Sequence, residues 1–245
     1  MRSFWEARAR ENPFYFVDNS LPYRAPEAER FWASGPHALD QMLGALGVTI
    51  DASDSVVEIG CGVGRLTRPI ARRAADVRAL DVAPRMLELA HRHNADASNV
   101  RWLLGDGASL EGIEDASADA CVSFVVFQHI PDPSVTLGYV AEIGRVLRPG
   151  GWAAIQVSND PAVHCPRRGP ARRRQVLLSL VGRAPRGQGD PAWLGSNVEL
   201  DDLERTAHSA GMDVERVVGA GEQFCFVRLR RRTRPPLQGD PASPS

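Results

Sequence analysis

A carboxylate followed by three alternate glycines carries the first chemical signal in this sequence. In Val56-Val57-Glu58-Ile59-Gly60-Cys61-Gly62-Val63-Gly64 an apolar strand runs into a G-x-G-x-G turn. Glycines at such a turn let the backbone take positive φ and pass close to a ligand. The spacing differs from the G-x-G-x-x-G of dinucleotide sites. Glu58 would also repel a pyrophosphate, and it favours a cationic or amine-bearing ligand instead. Two more acidic residues follow the next two strands. Asp81 can accept both hydroxyls of a ribose, or cap the helix that opens near Pro84. Asp106, in Gly105-Asp106-Gly107, can accept from an adenine amine, or serve a turn built on that tripeptide.

The elements that must position these residues alternate between strand and helix. Ser55–Ile59, Val77–Leu80, Val100–Leu104, Ala118–Phe127 and Trp152–Val157 read as strands. The fourth is apolar almost throughout, as a strand covered on both faces should be. A helix is predicted from about 64, with Leu66, Ile70 and Ala74 on one face, and another from Pro84. Asp132-Pro133 can cap and open a third, and Arg148-Pro149-Gly150-Gly151 stops it. Leu39, Met42, Leu43 and Leu46 mark an earlier helix over 36–46 that Gly47 ends. Ser196-Asn197-Val198-Glu199 has the form of a capping box, leading to a helix with Leu200, Leu203, Ala207 and Ala210. Val214–Val218 and Phe224–Leu229 are joined by Gly219-Ala220-Gly221, a link short enough to require an antiparallel hairpin. Repeated β–α units imply a doubly wound parallel sheet with helices on both faces.

The organisation expected is an N-terminal helical cap over 1–50 and an α/β domain over 51–234. An irregular insertion at 159–195, with one helix near 171–182, interrupts that domain, and a disordered tail follows over 235–245. The 245 residues carry 29 basic and 30 acidic side chains, a balance without a general pull toward nucleic acid or anionic membrane. Every basic residue is arginine, which excludes Schiff-base, pyridoxal-phosphate and P-loop lysine chemistry. Cys61, Cys121, Cys165 and Cys225 form no C-x-x-C pair, so no metal site is expected, and free thiols suit a reducing cytoplasm. No apolar run approaches a membrane span, and Met1–Glu6 lacks the apolar region of a signal peptide.

Taken together, Glu58–Gly64, Asp81, Asp106 and Leu147-Arg148-Pro149-Gly150-Gly151 resemble the class I S-adenosylmethionine-dependent methyltransferases, nearest to the group acting on small molecules. The resemblance covers 55–158 directly and extends to 230 by the order of elements. It implies a Rossmann-like, seven-stranded sheet, mostly parallel with an antiparallel last strand. It also implies S-adenosylmethionine as cofactor. Carried over by position, Glu58 would hold the amino group of the methionine moiety. The turn Gly60-Cys61-Gly62, with Gly64, would pass its backbone along the cofactor. Asp81 would bind the ribose, Val82 and Met86 would flank the adenine, and Asp106 would meet its amine beside Gly107. Phe124 and Gln128 would border the methionine end.

Methyl transfer from a sulfonium is an in-line displacement in which alignment of the nucleophile is the protein's main task. His129, in Phe127-Gln128-His129-Ile130-Pro131-Asp132, is the candidate base, with packing against the turn as the alternative. His37 and His164 have less claim, His208 reads as solvated, and His91 and His93 as residues of a charged helix end. The fourth strand lacks the Asn/Asp-Pro-Pro-Tyr/Phe ending of adenine-N6 enzymes. The N-terminal aromatics would form a lid or an ordinary packed layer. Arg167, Arg168, Arg172, Arg173, Arg174, Arg183 and Arg186 in the insertion would face an anionic substrate, solvent or RNA. Arg228, Arg230, Arg231, Arg232 and Arg234 read as a charged edge. The function expected is methylation of an oxygen or nitrogen on a small molecule, by a monomer or homodimer in the cytoplasm. RNA or protein methylation, or cofactor binding without methylation, stand as alternatives. A nicotinamide oxidoreductase fits neither Glu58 nor the glycine spacing.

Overall fold

Seven strands form one sheet wherever apolar residues fall on alternate or successive positions. The computed structural model describes residues 1–24, 27–163, 187 and 189–233. In chain order the strands are β1 (Ser55–Ile59), β2 (Asp76–Asp81), β3 (Val100–Leu104), β4 (Ala118–Ser123), β5 (Leu147–Val157), β6 (Met212–Val218) and β7 (Cys225–Arg231). They lie side by side as β3-β2-β1-β4-β5-β7-β6. The first five run parallel, while β7 is antiparallel to both β5 and β6. The Rossmann-like sheet and its antiparallel hairpin strand are as expected from the sequence.

Helices cover both faces. They are α1 (Arg2–Glu11), α2 (Pro13–Val17), α3 (Ala28–Leu46), α4 (Thr67–Ala71), α5 (Pro84–His93), α6 (Pro133–Val146), α7 (Pro191–Leu194) and α8 (Leu200–Ser209). Leu39, Met42 and Leu46 of α3 and Ile70 of α4 pack with Val56, Val77, Ala120 and Ala154. Val140 and Ile143 of α6 and Leu203 and Ala207 of α8 pack with Val57, Cys121, Ala153 and Ile155 on the other side. Neighbours in sequence thus enter opposite layers, the period-two rule of a strand. A third cluster joins Ala9, Leu21 and Phe31 to Val63, Ala83, Met86 and Leu89. Through it the N-terminal helices rest on the segments that leave β1 and β2.

Several local expectations need correction. The helix expected from 64 is a single turn starting at Thr67, because Gly60, Gly62 and Gly64 all stand at positive φ and keep the preceding chain out of the helical region. β4 ends at Ser123, and residues 127–129 form a 3₁₀ turn. β5 begins at Leu147, where α6 ends. The Arg-Pro-Gly-Gly run stops the helix and is then absorbed into the strand as a register shift opposite Ala118 and Ala120. The capping box does not form. Glu199 takes the N-cap position without a side-chain bond, and Ser196 Oγ donates to Ile130 O at 2.7 Å instead. Asp132 does cap α6, accepting from Ser134 N at 2.9 Å. His208 is exposed as expected. His93 is partly buried between Phe14 and Trp32, and burial, with Arg68 and Arg92 nearby, lowers its pKa. The helix near 171–182, the listed arginines of the insertion, His164, Cys165, Arg234 and the tail lie outside the described residues. No helix among the described residues is long and apolar enough to cross a membrane.

α6 and α8 meet with no room to spare. A Cβ on Gly144 would stand 2.7 Å from Ala210 O and 2.8 Å from Ala210 Cβ. Gly144→Ala is therefore expected to destabilise the fold by about 1–3 kcal/mol. Urea unfolding reads this, and an unchanged midpoint would mean that the two helices are not in contact there.

Candidate active site

The strand order reverses between β1 and β4, and ligand crevices in such sheets open at the carboxyl ends of strands beside the reversal. A cavity lies there. The ends of β1, β2 and β4 form its floor, and Met1, Trp5, Phe16 and Val17 of the N-terminal helices form its roof. Its polar groups are few and specific, in keeping with small-molecule sites.

Glu58 borders the cavity and is buried. Its Oε2 accepts from Thr67 Oγ1 at 2.6 Å. Burial pushes its pKa up to about 7; the Thr67 bond and Arg65 offset part of that rise, and the Asp81 charge adds to it. Asp81 ends β2 and also borders the cavity. Its Oδ2 accepts from Gly62 N and its Oδ1 from Ala83 N, both at 2.9 Å. The carboxylate thereby ties the glycine turn to the start of α5, and each oxygen keeps a lone pair for a further donor. Burial raises this pKa to about 6 against those bonds.

Gly60, Cys61, Gly62, Val82, Met86 and Phe124 also border the cavity. Four other cofactor-binding candidates do not. Asp106 is exposed, and its carboxylate accepts from Ala108 N, Ser109 N and Ser109 Oγ, all at 2.8 Å. The turn alternative for Gly-Asp-Gly thus describes its present bonds, while Gly105 alone of that run faces the cavity. Gly107 is covered by Val82 and Met1. Gly64 packs on Asn94 and Trp102. Gln128 is buried behind the wall.

Gln128 belongs to a hydrogen-bonded chain that sequence reading did not find. Val125 stands at φ 57, a region β-branched residues rarely enter, and such strain persists only where the surroundings hold it. Its N–H donates to Gln156 Oε1 at 3.0 Å. Gln156 Nε2 then donates to Gln128 Oε1 at 3.0 Å. That leaves Gln128 Nε2 as the donor to His129 Nε2, at 3.3 Å. Since a carbonyl only accepts, His129 Nδ1 carries the proton toward Trp193 O at 3.1 Å. The chain therefore selects the neutral Nδ1–H tautomer. The ring itself lies between Trp5 and Trp193, each 5.4 Å away.

His129 is thus where the N-terminal helices and the end of the insertion meet. Phe16 packs edge-on against Trp193 at 5.5 Å. Gly195 makes the close approach possible, with a positive φ of 59 and Gln128 O 1.5 Å from where a Cβ would stand. α1 is anchored at its other side. Arg2 Nη2 donates to Gly105 O, and Glu6 Oε2 accepts from Arg85 N, each at 2.9 Å. The second contact sets a carboxylate on the positive end of α5. Trp5 and Phe16 belong to the N-terminal aromatics expected to form a lid or an ordinary packed layer. Arg65, Val125 and Gln156 carried no signal beyond their nearness to the motifs.

Comparison with known proteins agrees with this geometry. Residues 57–155 match a family described as a methyltransferase domain. The chain is 27% identical over 175 residues to a ubiquinone biosynthesis O-methyltransferase from Nitrosospira multiformis, covering 69% of this chain and 66% of that protein. It is 33% identical over 152 residues to the protein of the same name from Xanthomonas oryzae pv. oryzae, covering 59% and 62%. The match therefore spans somewhat less than two thirds of those relatives. Among solved structures, phosphoethanolamine N-methyltransferase 1 from Haemonchus contortus, in complex with phosphoethanolamine and S-adenosylhomocysteine, shares the fold. Its TM-score is 0.66 at 15% identity, over 98% of this chain and 50% of that one. In its matched residues 57–155, its strand order and the glycine turn at the head of its cavity, the chain is similar to S-adenosylmethionine-dependent methyltransferases.

Proposed function

We propose that this chain transfers a methyl group from S-adenosylmethionine to a small-molecule acceptor, with oxygen the favoured atom. The observation that carries the reading is the pair of carboxylates, buried Glu58 and half-buried Asp81, at the ends of adjacent strands under an apolar roof. Burying a carboxylate without a cation is unfavourable, and a ligand bearing an ammonium and ribose hydroxyls meets both groups. The names of the curated relatives support oxygen as the acceptor atom. The aromatic walls of Trp5, Phe16 and Phe124 suit a flat, apolar acceptor. We place the activity in the cytoplasm, on the three buried free thiols Cys61, Cys121 and Cys225, and without a nucleic-acid partner. Whether it acts as monomer or homodimer bears on none of these residues.

When bound, the cofactor supplies an activated methyl group on a sulfonium, which departs as a neutral thioether. This chain's residues bind, orient and exclude water. Glu58 would accept from the ammonium, Asp81 from the ribose hydroxyls, and Val82 and Met86 would flank the adenine. The backbone of Gly60, Cys61 and Gly62, which borders the cavity, would lie along the cofactor. Asp106 would need to release its own turn to reach the adenine amine. His129 is read as a positioning residue, since both ring nitrogens are engaged and the ring stands behind the cavity wall. It holds Trp193 and Trp5 together above the acceptor.

Calorimetric titration with S-adenosylhomocysteine is the direct test. Saturable micromolar binding is expected, and Asp81→Ala should weaken it at least tenfold; unchanged affinity would remove the ribose role. Proton linkage gives a second test. Glu58 and Asp81 have folded-state pKa values of about 7 and about 6, raised by burial. Their stabilising contribution is present below the unfolded carboxylate range and is lost as pH rises through 6 to 7. Binding of an ammonium needs Glu58 ionised, so affinity should rise over that same window. Glu58→Gln should flatten the upper part of both curves. For His129, the Asn variant should raise the acceptor KM several-fold and leave the shape of the kcat–pH profile intact. Loss of a limb of that profile in the variant would make the histidine a base.

A further inference from the structure

Three successive residues after β4, Phe124, Val125 and Val126, all line the cavity. A strand would present only alternate ones. The kink at Val125, whose φ is 57, lets all three face it, and Val126 fills the space a side chain on Gly60 would need. Phe124 is held from two sides. Its ring stacks on Phe226 of β7, 6.2 Å away and 6° from parallel. The guanidinium of Arg65 lies over it at 5.8 Å. That guanidinium is also 6.0 Å from the Phe31 ring, donates through Nη1 to Ser34 Oγ at 3.1 Å and stands 3.7 Å from Asp18 Oδ2. The strained residue beside Phe124 is anchored through its N–H, which donates to Gln156 Oε1 at 3.0 Å.

Gln156 lies on β5 and is wholly buried. Its amide is used at both ends. Oε1 takes the Val125 N–H, while Nε2 faces Gln128 Oε1 at 3.0 Å and Val157 O and Gln223 O at 2.8 Å each. A donor on one side and carbonyl acceptors on the other leave the amide a single orientation. These partners are all uncharged, and Gln128 carries the order on to His129 Nε2. Gln156 does not line the cavity itself. One side chain therefore sets the wall below and, through Gln128, the ring tautomer above. We propose that Gln156 is a positioning residue for methyl transfer, an amide clamp that holds Phe124–Val126 as the wall against which the acceptor is aligned. This rests on the methyltransferase reading. In-line displacement is sensitive to alignment, and a shift of about 1 Å in the positioning groups can cost about 10²-fold in rate. A clamp bonded to neutral groups fixes the wall without adding a charge beside a sulfonium.

The experiment reads three quantities on the full chain. They are S-adenosylhomocysteine affinity by calorimetry, the tautomer of His129 by nitrogen NMR (with His129→Asn to assign its signals), and turnover with S-adenosylmethionine and catechol as the probe acceptor. In the wild type His129 is expected in the Nδ1–H form; the Nε2–H form would overturn the proposal, and this needs no variant to fold. Gln156→Met keeps the bulk and removes both ends of the amide. It should hold S-adenosylhomocysteine affinity within about threefold, mix the tautomers and lower kcat by about tenfold or more. Gln156→Glu keeps an acceptor for Val125, but its ionised form has no donor for the three carbonyls. It should match Gln156→Met at high pH and recover tautomer and rate as pH is lowered toward neutrality and the buried carboxyl takes a proton. Gln156→Met should show no such return, and Gln156→Glu carries the test alone if the Met variant does not fold. An unaltered tautomer or an unaltered kcat in folded Gln156→Met would overturn the proposal. So would parallel losses of cofactor affinity and kcat, which would make Gln156 a packing residue. If the wild type leaves catechol unmethylated, the tautomer measurements decide. If it does not bind S-adenosylhomocysteine, the methyltransferase reading falls and the proposal with it; a failed clamp with that binding intact leaves the reading standing.

Discussion

The carboxylate of Asp81 sits where two turns converge, and its two oxygens hold one backbone N–H from each. The turn after β1 and the start of α5 after β2 are thereby locked to one another at the carboxyl edge of the sheet. Everything else in the cavity is referred to that junction. Glu58 lies before the same glycine turn, Met86 on the helix that starts beyond Ala83, and Gly105 donates its own N–H to Asp81 O at 2.9 Å. The N-terminal helices then dock on the junction through Arg2 and Glu6. A half-buried carboxylate bonded by two backbone donors is a rigid acceptor, and rigidity at this point aligns a ligand that spans two strands.

The roof is a different kind of construction. Residues that lie far apart in sequence, Trp5 in α1 and Trp193 at the end of the insertion, converge on one histidine ring, and Phe16 of α2 packs on Trp193. Beneath it, uncharged amides carry the contact back to the strained turn at Val125. Amide-to-amide bonds do not titrate, so the link between floor and roof depends on shape and on a single tautomer. The steric fit of Gly195 against Gln128 closes the arrangement from outside.

Much of this was legible in the residues, and the reason is periodic. Val56 and Val57, or Ala153 and Ala154, go to opposite layers because a strand alternates, and two-sided burial marks a parallel sheet. Glu58 and Asp81 were legible because a carboxylate at a strand end has few other uses. Illegible features were those decided by tertiary contact. Ser196 had the local form of a cap, but a carbonyl 66 positions away in sequence took its hydroxyl. The glycines after β1 shortened a helix whose apolar stripe looked complete. Asp106 had two local readings, and its own turn supplies three donors. Arg65 gave no sign of itself in a chain where every cation is arginine, since its burial depends on Asp18, Ser34 and Phe31 from another part of the chain.

That last arrangement bears on how the protein can change. Arg65 is packed by segments before α3, within α3 and after β4, and by a buried carboxylate across the turn. Ser34 and Asp18 do not line the cavity themselves, yet they fix the angle of a guanidinium that does. Substitutions at these positions should therefore combine non-additively. A variant that reshapes the roof by altering Ser34 carries its effect into the glycine turn, and a second change at Asp18 has a different meaning after the first. The route from this chain to one with another acceptor runs through an epistatic knot, and order of substitution decides which intermediates keep a working cavity.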